Sequence, residues 1–139
     1  MPTIAKCVVC DAVLRHSLAK YCTRCGNILG KVESRGKVDI APRVKALRDS
    51  WDKESESFRC HYCGIQLVDN NPRDPRYITF DHLTPRKEGE LVITAAIIKD
   101  MKSDLSVDEF ETIVNQLAKH FEDGSEVEEK IFKLKHYKR

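Results

Sequence analysis

Two short apolar runs in the middle of the chain alternate with polar positions and predict a pair of strands. The first, from Tyr77 to Phe80, has the aromatic and β-branched composition of a half-buried strand, and Pro85 cannot continue a ladder. The second covers 91–94, and the segment 95–102 contains no Pro or Gly and predicts a helix. The predicted order is therefore strand, loop, strand, helix.

A further helix is predicted before these strands. Pro42 suits the first turn of a helix, and apolar residues that include Leu47 and Trp51 then recur at spacings of three and four. We expect this helix to end near Ser55. The preceding segment 30–41 is polar and has no clear period, which predicts a linker or a short hairpin.

Two helices are predicted towards the C-terminus. Ser106 and Glu109 match a capping box, an apolar stripe continues to Phe121, and Gly124 marks the end. The stripe predicts a helix that packs in the core. The capping signal recurs at 125–128 and predicts a last helix with a basic end.

The composition is that of an ordinary soluble protein: of 139 residues 41% are hydrophobic and 33% are charged, and the formal net charge is +2. No run approaches the roughly 20 apolar residues of a membrane span, and the N-terminus lacks the features of a signal peptide. We therefore expect a cytoplasmic protein without a membrane role, built as one domain or as one small domain plus a metal-stapled module. Basic residues concentrate at 35–48 and 130–139, where they suit contact with phosphate and a solvated surface equally well.

All six cysteines fall in Cys-x-x-Cys pairs with a shared flanking pattern. Asp or Gly follows each pair directly, and Leu stands four residues after the second cysteine. This pattern is typical of zinc knuckles, in which Gly permits a positive φ that Asp11 tolerates less well. The pairs are Cys7/Cys10, Cys22/Cys25 and Cys60/Cys63.

The first two pairs supply the four thiolates of one tetrahedral structural zinc, in an N-terminal ribbon over 1–32. Disulfides within or between the pairs are the redox alternative, which a reducing cytosol disfavours. Cys60 and Cys63 have no further cysteines with which to complete a second site. Three interpretations stay open: a relic that packs as two small buried thiols, a site shared with a second subunit, and a rearrangement that recruits N-terminal cysteines.

Asp81 and His82 close the first predicted strand as an adjacent carboxylate and imidazole, followed by 83–85 with the sequence Leu-Thr-Pro. Together with the strand-loop-strand-helix order and the preceding Cys60–Cys63 knuckle, this motif resembles the ββα-metal core of HNH endonucleases. The resemblance covers about 58–121. It implies a small ββα-metal core. With the flanking helices and the N-terminal zinc ribbon with four cysteine ligands that are predicted above, we expect an α+β fold.

Together with the cysteine spacing and the predicted helices, this resemblance divides the chain into four units. They are 1–32 for the ribbon, 33–57 for a linker and helix, 58–122 for the HNH-like core and 123–139 for a basic C-terminal helix. Lys102 matches a family lysine on the helix. Many members carry a second Cys-x-x-Cys at the start of that helix, where this chain has Ala95 and Ile98.

The resemblance also implies roles for the residues of the motif. His82 would be the general base that activates water, and Asp81 would hold one Mg²⁺ or Mn²⁺ against the scissile phosphate. Two positions depart from the family pattern: Lys99 replaces the usual Asn or His on the helix, and Glu90 falls near the usual middle Asn. Either Asp100 replaces the missing ligand, or Lys99 contacts the phosphate itself.

These expectations lead to competing functions. The first is an endonuclease that nicks DNA with one catalytic Mg²⁺ or Mn²⁺ and a structural Zn²⁺, and that would need a homodimer for double-strand cleavage. The second is a catalytically inactive zinc-binding module for nucleic acid or protein, which the departures at Lys99 and Glu90 favour. A redox protein that uses the Cys-x-x-Cys pairs is a weaker third alternative.

Overall fold

The structure is a computed structural model that describes residues 4–16, 18–33, 40–83 and 90–134. Over this part of the chain it is a small α+β fold with four α-helices and two antiparallel two-stranded sheets. The predicted α+β class is confirmed in this form.

The N-terminal segment folds as a tight turn followed by a helix. A backbone bridge between Lys6 and Val13 closes the turn that carries the first cysteine pair, and α1 (Thr23–Glu33) begins directly after Cys22. Gly26 lies inside α1, where its N–H donates to the carbonyl of Cys22 at 2.8 Å. The prediction of three similar knuckles is therefore wrong for the second pair, because the chain continues there as a helix.

The predicted linker over 30–41 is helical where it starts, since α1 continues to residue 33. Its remainder, 34–39, lies outside the described residues. α2 (Ala41–Ser50) follows, with Pro42 in its first turn as predicted.

α2 ends earlier than predicted because Trp51 is taken into a hairpin. β1 (Trp51–Asp52) pairs antiparallel with β2 (Ser57–Phe58), and the rings of Trp51 and Phe58 meet edge to face with centroids 4.9 Å apart. Asp52 stabilises the connecting turn by accepting hydrogen bonds from it. Contacts with residues later in the chain thus override the helical period.

The second hairpin carries the residues of the Asp-His motif. β3 (Ile78–His82) pairs antiparallel with β4 (Leu91–Ala95), and α3 (Ala96–Lys102) follows without an intervening loop. The strand, strand and helix predicted at these positions are confirmed as elements. Successive side chains of β3 alternate between the two faces of this hairpin.

α4 (Val107–Asp123) begins and ends where the capping residues predict. The Ser106 hydroxyl accepts from the N–H of Glu109 at 3.2 Å, the Glu109 carboxylate accepts from the N–H of Ser106 at 3.0 Å, and Gly124 ends the helix with φ of 74°. No residue of α4 is buried, and Phe121 is 82% exposed. The prediction of a core helix is therefore wrong, because the described part of the chain covers the apolar stripe only partly.

The helix predicted from the second capping signal is replaced, in the described part of the chain, by a short 3-10 turn over Glu129–Phe132. Residues 135–139, which include most of the predicted basic end, lie outside the described residues.

One hydrophobic cluster connects the N-terminal module with the rest of the fold. α2 packs against β4, and Leu47, Phe58 and Ile93 are almost fully buried members of this cluster. Cys25 and Leu29 of α1 belong to the same cluster. The cysteine-bearing segment therefore shares its core with the β3–β4 hairpin.

Candidate functional site

Four cysteine thiols from the N-terminal turn and the start of α1 converge on one point. The Sγ atoms of Cys7, Cys10, Cys22 and Cys25 all lie within 4.8 Å of one another, and those of Cys10 and Cys22 are 3.6 Å apart. A tetrahedral zinc ion with bonds of about 2.3 Å places its sulfur ligands about 3.8 Å apart. The four cysteines predicted from their spacing can thus hold a metal ion such as zinc.

Backbone hydrogen bonds in the Cys7–Cys10 turn and at the start of α1 position the four cysteines. Asp11 takes a φ of 62° directly after Cys10, and its N–H donates to the carbonyl of Cys7 at 3.0 Å. Asp is among the few residues that enter this left-handed region with support from a short polar side chain. On the other side the N–H of Cys25, in the first turn of α1, donates to Sγ of Cys22 at 3.4 Å.

Burial and local hydrogen bonds set the protonation of these thiols. Burial raises the pKa of Cys7, but backbone hydrogen bonds at Cys10 and Cys22 outweigh it and lower that pKa to about 7. Burial raises the pKa of Cys10 to about 11 and that of Cys25 well above its usual range. A metal ion has to displace these protons, so the metal affinity of the cluster should fall as the pH falls.

The third cysteine pair lies on a turn of similar construction. Gly64 follows Cys63 with φ of 74°, and its N–H donates to the carbonyl of Cys60 at 2.9 Å. Sγ of Cys60 lies 3.4 Å from the Thr94 hydroxyl and accepts from the N–H of Ala95 at 3.4 Å. Burial raises the pKa of Cys60, but these hydrogen bonds outweigh it and the net shift is downward.

Comparison of the two turns explains why the third pair is isolated. Beside the Cys7–Cys10 turn, α1 is preceded by Cys22 and carries Cys25 in its first helical turn. Beside the Cys60–Cys63 turn, α3 is preceded by Ala95 and carries Ile98 in its first helical turn. In the described segments no group of three or more ligand side chains includes Cys60. Cys60 is buried as a relic should be, but Cys63 is exposed, so that interpretation is wrong for Cys63. The site shared between subunits stays a prediction.

The Asp81 carboxylate is buried and held from two sides. It is 5% exposed, and its Oδ2 accepts from the Tyr62 hydroxyl at 3.0 Å and lies 3.2 Å from Nζ of Lys102. Lys102 is 1% exposed and also donates to the carbonyl of His82 at 3.1 Å. Burial and then the charge of Asp81 raise the pKa of Tyr62, so its hydroxyl keeps the proton that it donates.

Sequence reasoning missed both partners of Asp81. In the sequence Lys102 only aligns the helix with a family pattern, and Tyr62 is one of the two spacer residues between Cys60 and Cys63. The available signal is a tyrosine inside a Cys-x-x-Cys turn, but nothing local says that it reaches a carboxylate 19 positions further on.

The side chain of His82 lies on the face of the hairpin opposite to that of Asp81. It pairs with Leu91, whereas Asp81 pairs with Val92, and directly opposite residues of an antiparallel pair share a face. His82 is half-buried, and none of the described residues forms a hydrogen bond with its ring. Glu90 lies next to the hairpin end, where its carbonyl accepts from the N–H of Leu83 at 2.9 Å.

α3 brings Lys99, not Asp100, to the side of Lys102. Lys99 is exposed one turn before Lys102, about 60° away around the helix axis, whereas the exposed Asp100 is about 160° away. Over the described ranges no group of three or more ligand side chains within 4.8 Å of one another contains Asp81. The position of Asp100 around α3 thus does not favour the predicted Asp81–Asp100 ligand pair, which stays a prediction.

A cavity of about 640 Å³ lies between α2 and β4, and Leu91, the cross-strand partner of His82, is part of its wall. Two basic side chains also line it. Lys45 is paired with Asp49 at 2.7 Å, and Arg59 is paired with Asp52 at 3.2 Å. The cations of this wall are thus neutralised within the protein.

Comparisons with protein-family models, with curated proteins and with solved structures gave no significant match. Among the helices that the structure describes, none combines the length and the apolar character needed to cross a membrane. What the chain does must therefore be inferred from its own side chains.

Proposed function

We propose that the protein is an HNH-like endonuclease that hydrolyses phosphodiester bonds of DNA, one strand per active site. The observation that carries this proposal is the buried carboxylate of Asp81 at the end of β3, next in sequence to the half-buried imidazole of His82. Oδ2 of this carboxylate contacts the Tyr62 hydroxyl and Nζ of Lys102. The strand, strand and helix around this pair have the order of a ββα-metal core, which supports the same proposal.

In this mechanism His82 accepts a proton from the attacking water, because imidazole is the side chain that changes protonation near neutral pH. Asp81 offers Oδ1 as a hard oxygen ligand. Mg²⁺ often binds through one or two carboxylates, substrate phosphate and water, so a single protein carboxylate is compatible with such an ion. When bound, Mg²⁺ or Mn²⁺ supplies charge stabilisation at the scissile phosphate.

The positions of these side chains restrict where the substrate lies. Asp81 and His82 point to opposite faces of the hairpin, and β3 ends at His82. In this mechanism the scissile phosphate lies across the end of the hairpin at which β3 reaches Asp81 and His82. Lys99, exposed on the Lys102 side of α3, contacts a phosphate oxygen in this arrangement. The four N-terminal cysteines hold a structural zinc.

Conversion of supercoiled plasmid to open circle tests this function. We expect nicking in Mn²⁺ or Mg²⁺ and none in chelator, with the zinc content measured in each sample. His82→Ala should lower the rate by about 10²–10⁴-fold. His16→Ala, which changes an exposed histidine outside the site, should nick as the wild type does. Equal rates for wild type and His82→Ala across metals and pH would refute the proposal.

The alternative is a catalytically inactive zinc-binding module for nucleic acid or protein. It is favoured by the ion pair that already neutralises Asp81 through Lys102. This alternative predicts that labelled single- and double-stranded DNA is bound without being cut. It also predicts that His82→Ala leaves any binding unchanged. Double-strand breaks in the plasmid assay would instead indicate a homodimer of the active enzyme.

A further inference from the structure

The turn that carries the third cysteine pair is anchored to β4 at several points. The N–H of His61 donates to the carbonyl of Ile93 at 2.8 Å, and the N–H of Ala95 donates to Sγ of Cys60 at 3.4 Å. The turn itself is closed by the hydrogen bond from Gly64 to the Cys60 carbonyl at 2.9 Å. The residue at its tip is thus fixed relative to the hairpin.

Tyr62 occupies this tip and reaches across to Asp81. Its ring packs edge to face on His61 and on Phe110 of α4, with centroids 5.2 Å and 6.2 Å away. Its hydroxyl donates to Oδ2 of Asp81 at 3.0 Å. Because the ring is packed on two sides, the hydroxyl has little freedom to follow the carboxylate if the carboxylate rotates.

Both strong contacts of the carboxylate fall on the same oxygen. Oδ2 of Asp81 receives the Tyr62 hydroxyl and also lies 3.2 Å from Nζ of Lys102. Among the described residues none donates to Oδ1. A carboxylate held by one oxygen presents the other in a fixed direction, which is the usual task of groups that support a metal ligand.

We propose that Tyr62 is a positioning residue that, with Lys102, fixes Oδ2 of Asp81 so that Oδ1 is the oxygen presented to a divalent cation. The use of Oδ1 rests on the proposed nuclease function, whereas the orientation of the carboxylate does not. The proposal also gives the Cys60–Cys63 turn a task that needs no metal. Its hydrogen bonds to β4 hold the tyrosine where Asp81 requires it.

The test compares Tyr62→Phe, which removes the hydroxyl alone, with Tyr21→Phe, which removes a hydroxyl away from the site. The first readout is the side-chain carboxyl ¹³C chemical shift of Asp81 without added divalent cation. Tyr62→Phe should move this resonance, and Tyr21→Phe should not. The second readout is the Mn²⁺ concentration that gives half-maximal nicking. It should rise by about 10–100-fold in Tyr62→Phe, the usual cost of losing a group that supports a metal ligand.

A structural role alone would lower the thermal midpoint of Tyr62→Phe without moving the carboxyl resonance or the half-saturating Mn²⁺ concentration, and that result would overturn the proposal. A wild type that neither nicks nor shows Mn²⁺-induced broadening at Asp81 would overturn the nuclease function. The ¹³C shift would then still decide whether Tyr62 orients the carboxylate. An unmoved resonance refutes the positioning role in either case.

Discussion

Replacement of Lys102 by Met removes the ammonium beside Asp81 and keeps an unbranched side chain in the buried space. Lys102 and Asp81 have side chains that are 1% and 7% exposed, so water could replace the ammonium beside Oδ2 only in part. Breaking a buried ion pair from one side costs about 3–5 kcal/mol of unfolding free energy. We expect Lys102→Met to fall in this range.

A double-mutant cycle separates the ion pair from packing. Asp81→Asn should destabilise the fold as well, because it leaves a buried ammonium without its counter-charge. The double variant should be more stable than the sum of the single changes predicts, by about 1–3 kcal/mol of coupling. Guanidinium unfolding at constant saturating zinc, followed by the fluorescence of the single tryptophan, Trp51, gives these free energies.

The exposed pair Lys45–Asp49 is the matched control. Its atoms are closer, at 2.7 Å, but its side chains are 76% and 62% exposed. Solvent screening should therefore reduce its coupling to about 0.5 kcal/mol or less. If Lys102→Met costs no more than Lys45→Met, or if the costs of Lys102→Met and Asp81→Asn simply add, the ion pair is not the buried constraint inferred from the structure.

The other predictions concern the cysteines. Purified protein should contain one zinc ion per chain, and this zinc should be lost on acidification. Cys22→Ala should lose the zinc and lower the thermal midpoint of the whole fold. Cys63→Ala, which changes an exposed cysteine, should alter neither the zinc content nor the thermal midpoint. A zinc-free wild type whose thermal midpoint equals that of the zinc-loaded protein would contradict this prediction. Ala95→Cys combined with Ile98→Cys should complete the second site and raise the content to two zinc ions per chain. The same two changes in a variant that lacks Cys60 and Cys63 should not increase the zinc content. If both variants keep one zinc ion per chain, the claim that only two cysteines on the α3 side are missing from a second zinc site is refuted.

Local chemistry made several elements predictable. Ser106, Glu109 and Gly124 define the ends of α4 through hydrogen bonds that span only a few residues, so the sequence contains all the information needed. The four N-terminal cysteines are predictable for a similar reason. Their spacing reflects the demands of one small metal ion rather than of a distant part of the fold.

Burial and long-range pairing were less predictable. The stripe of α4 has the period of a core helix, but a period does not show whether a partner is present, and Phe121 is largely exposed. Trp51 continues the period of α2 and nevertheless lies in β1, where it pairs with Phe58 of β2 and the two rings are in contact. Lys102 shows no local sign of its burial, since its partner Asp81 stands on another element.

Cys25 is a candidate metal ligand and also a fully buried member of the core, and the same helix buries Ile28 and Leu29. An ion that binds these thiolates only in the folded chain stabilises the fold by RT ln(1 + [M]/Kd). Because the cluster shares its core with the β3–β4 hairpin, this stabilisation extends to the Asp81 site. Metal scarcity would therefore deplete the folded population as a whole, and the hairpin would respond to zinc concentration although the four cysteines lie outside it.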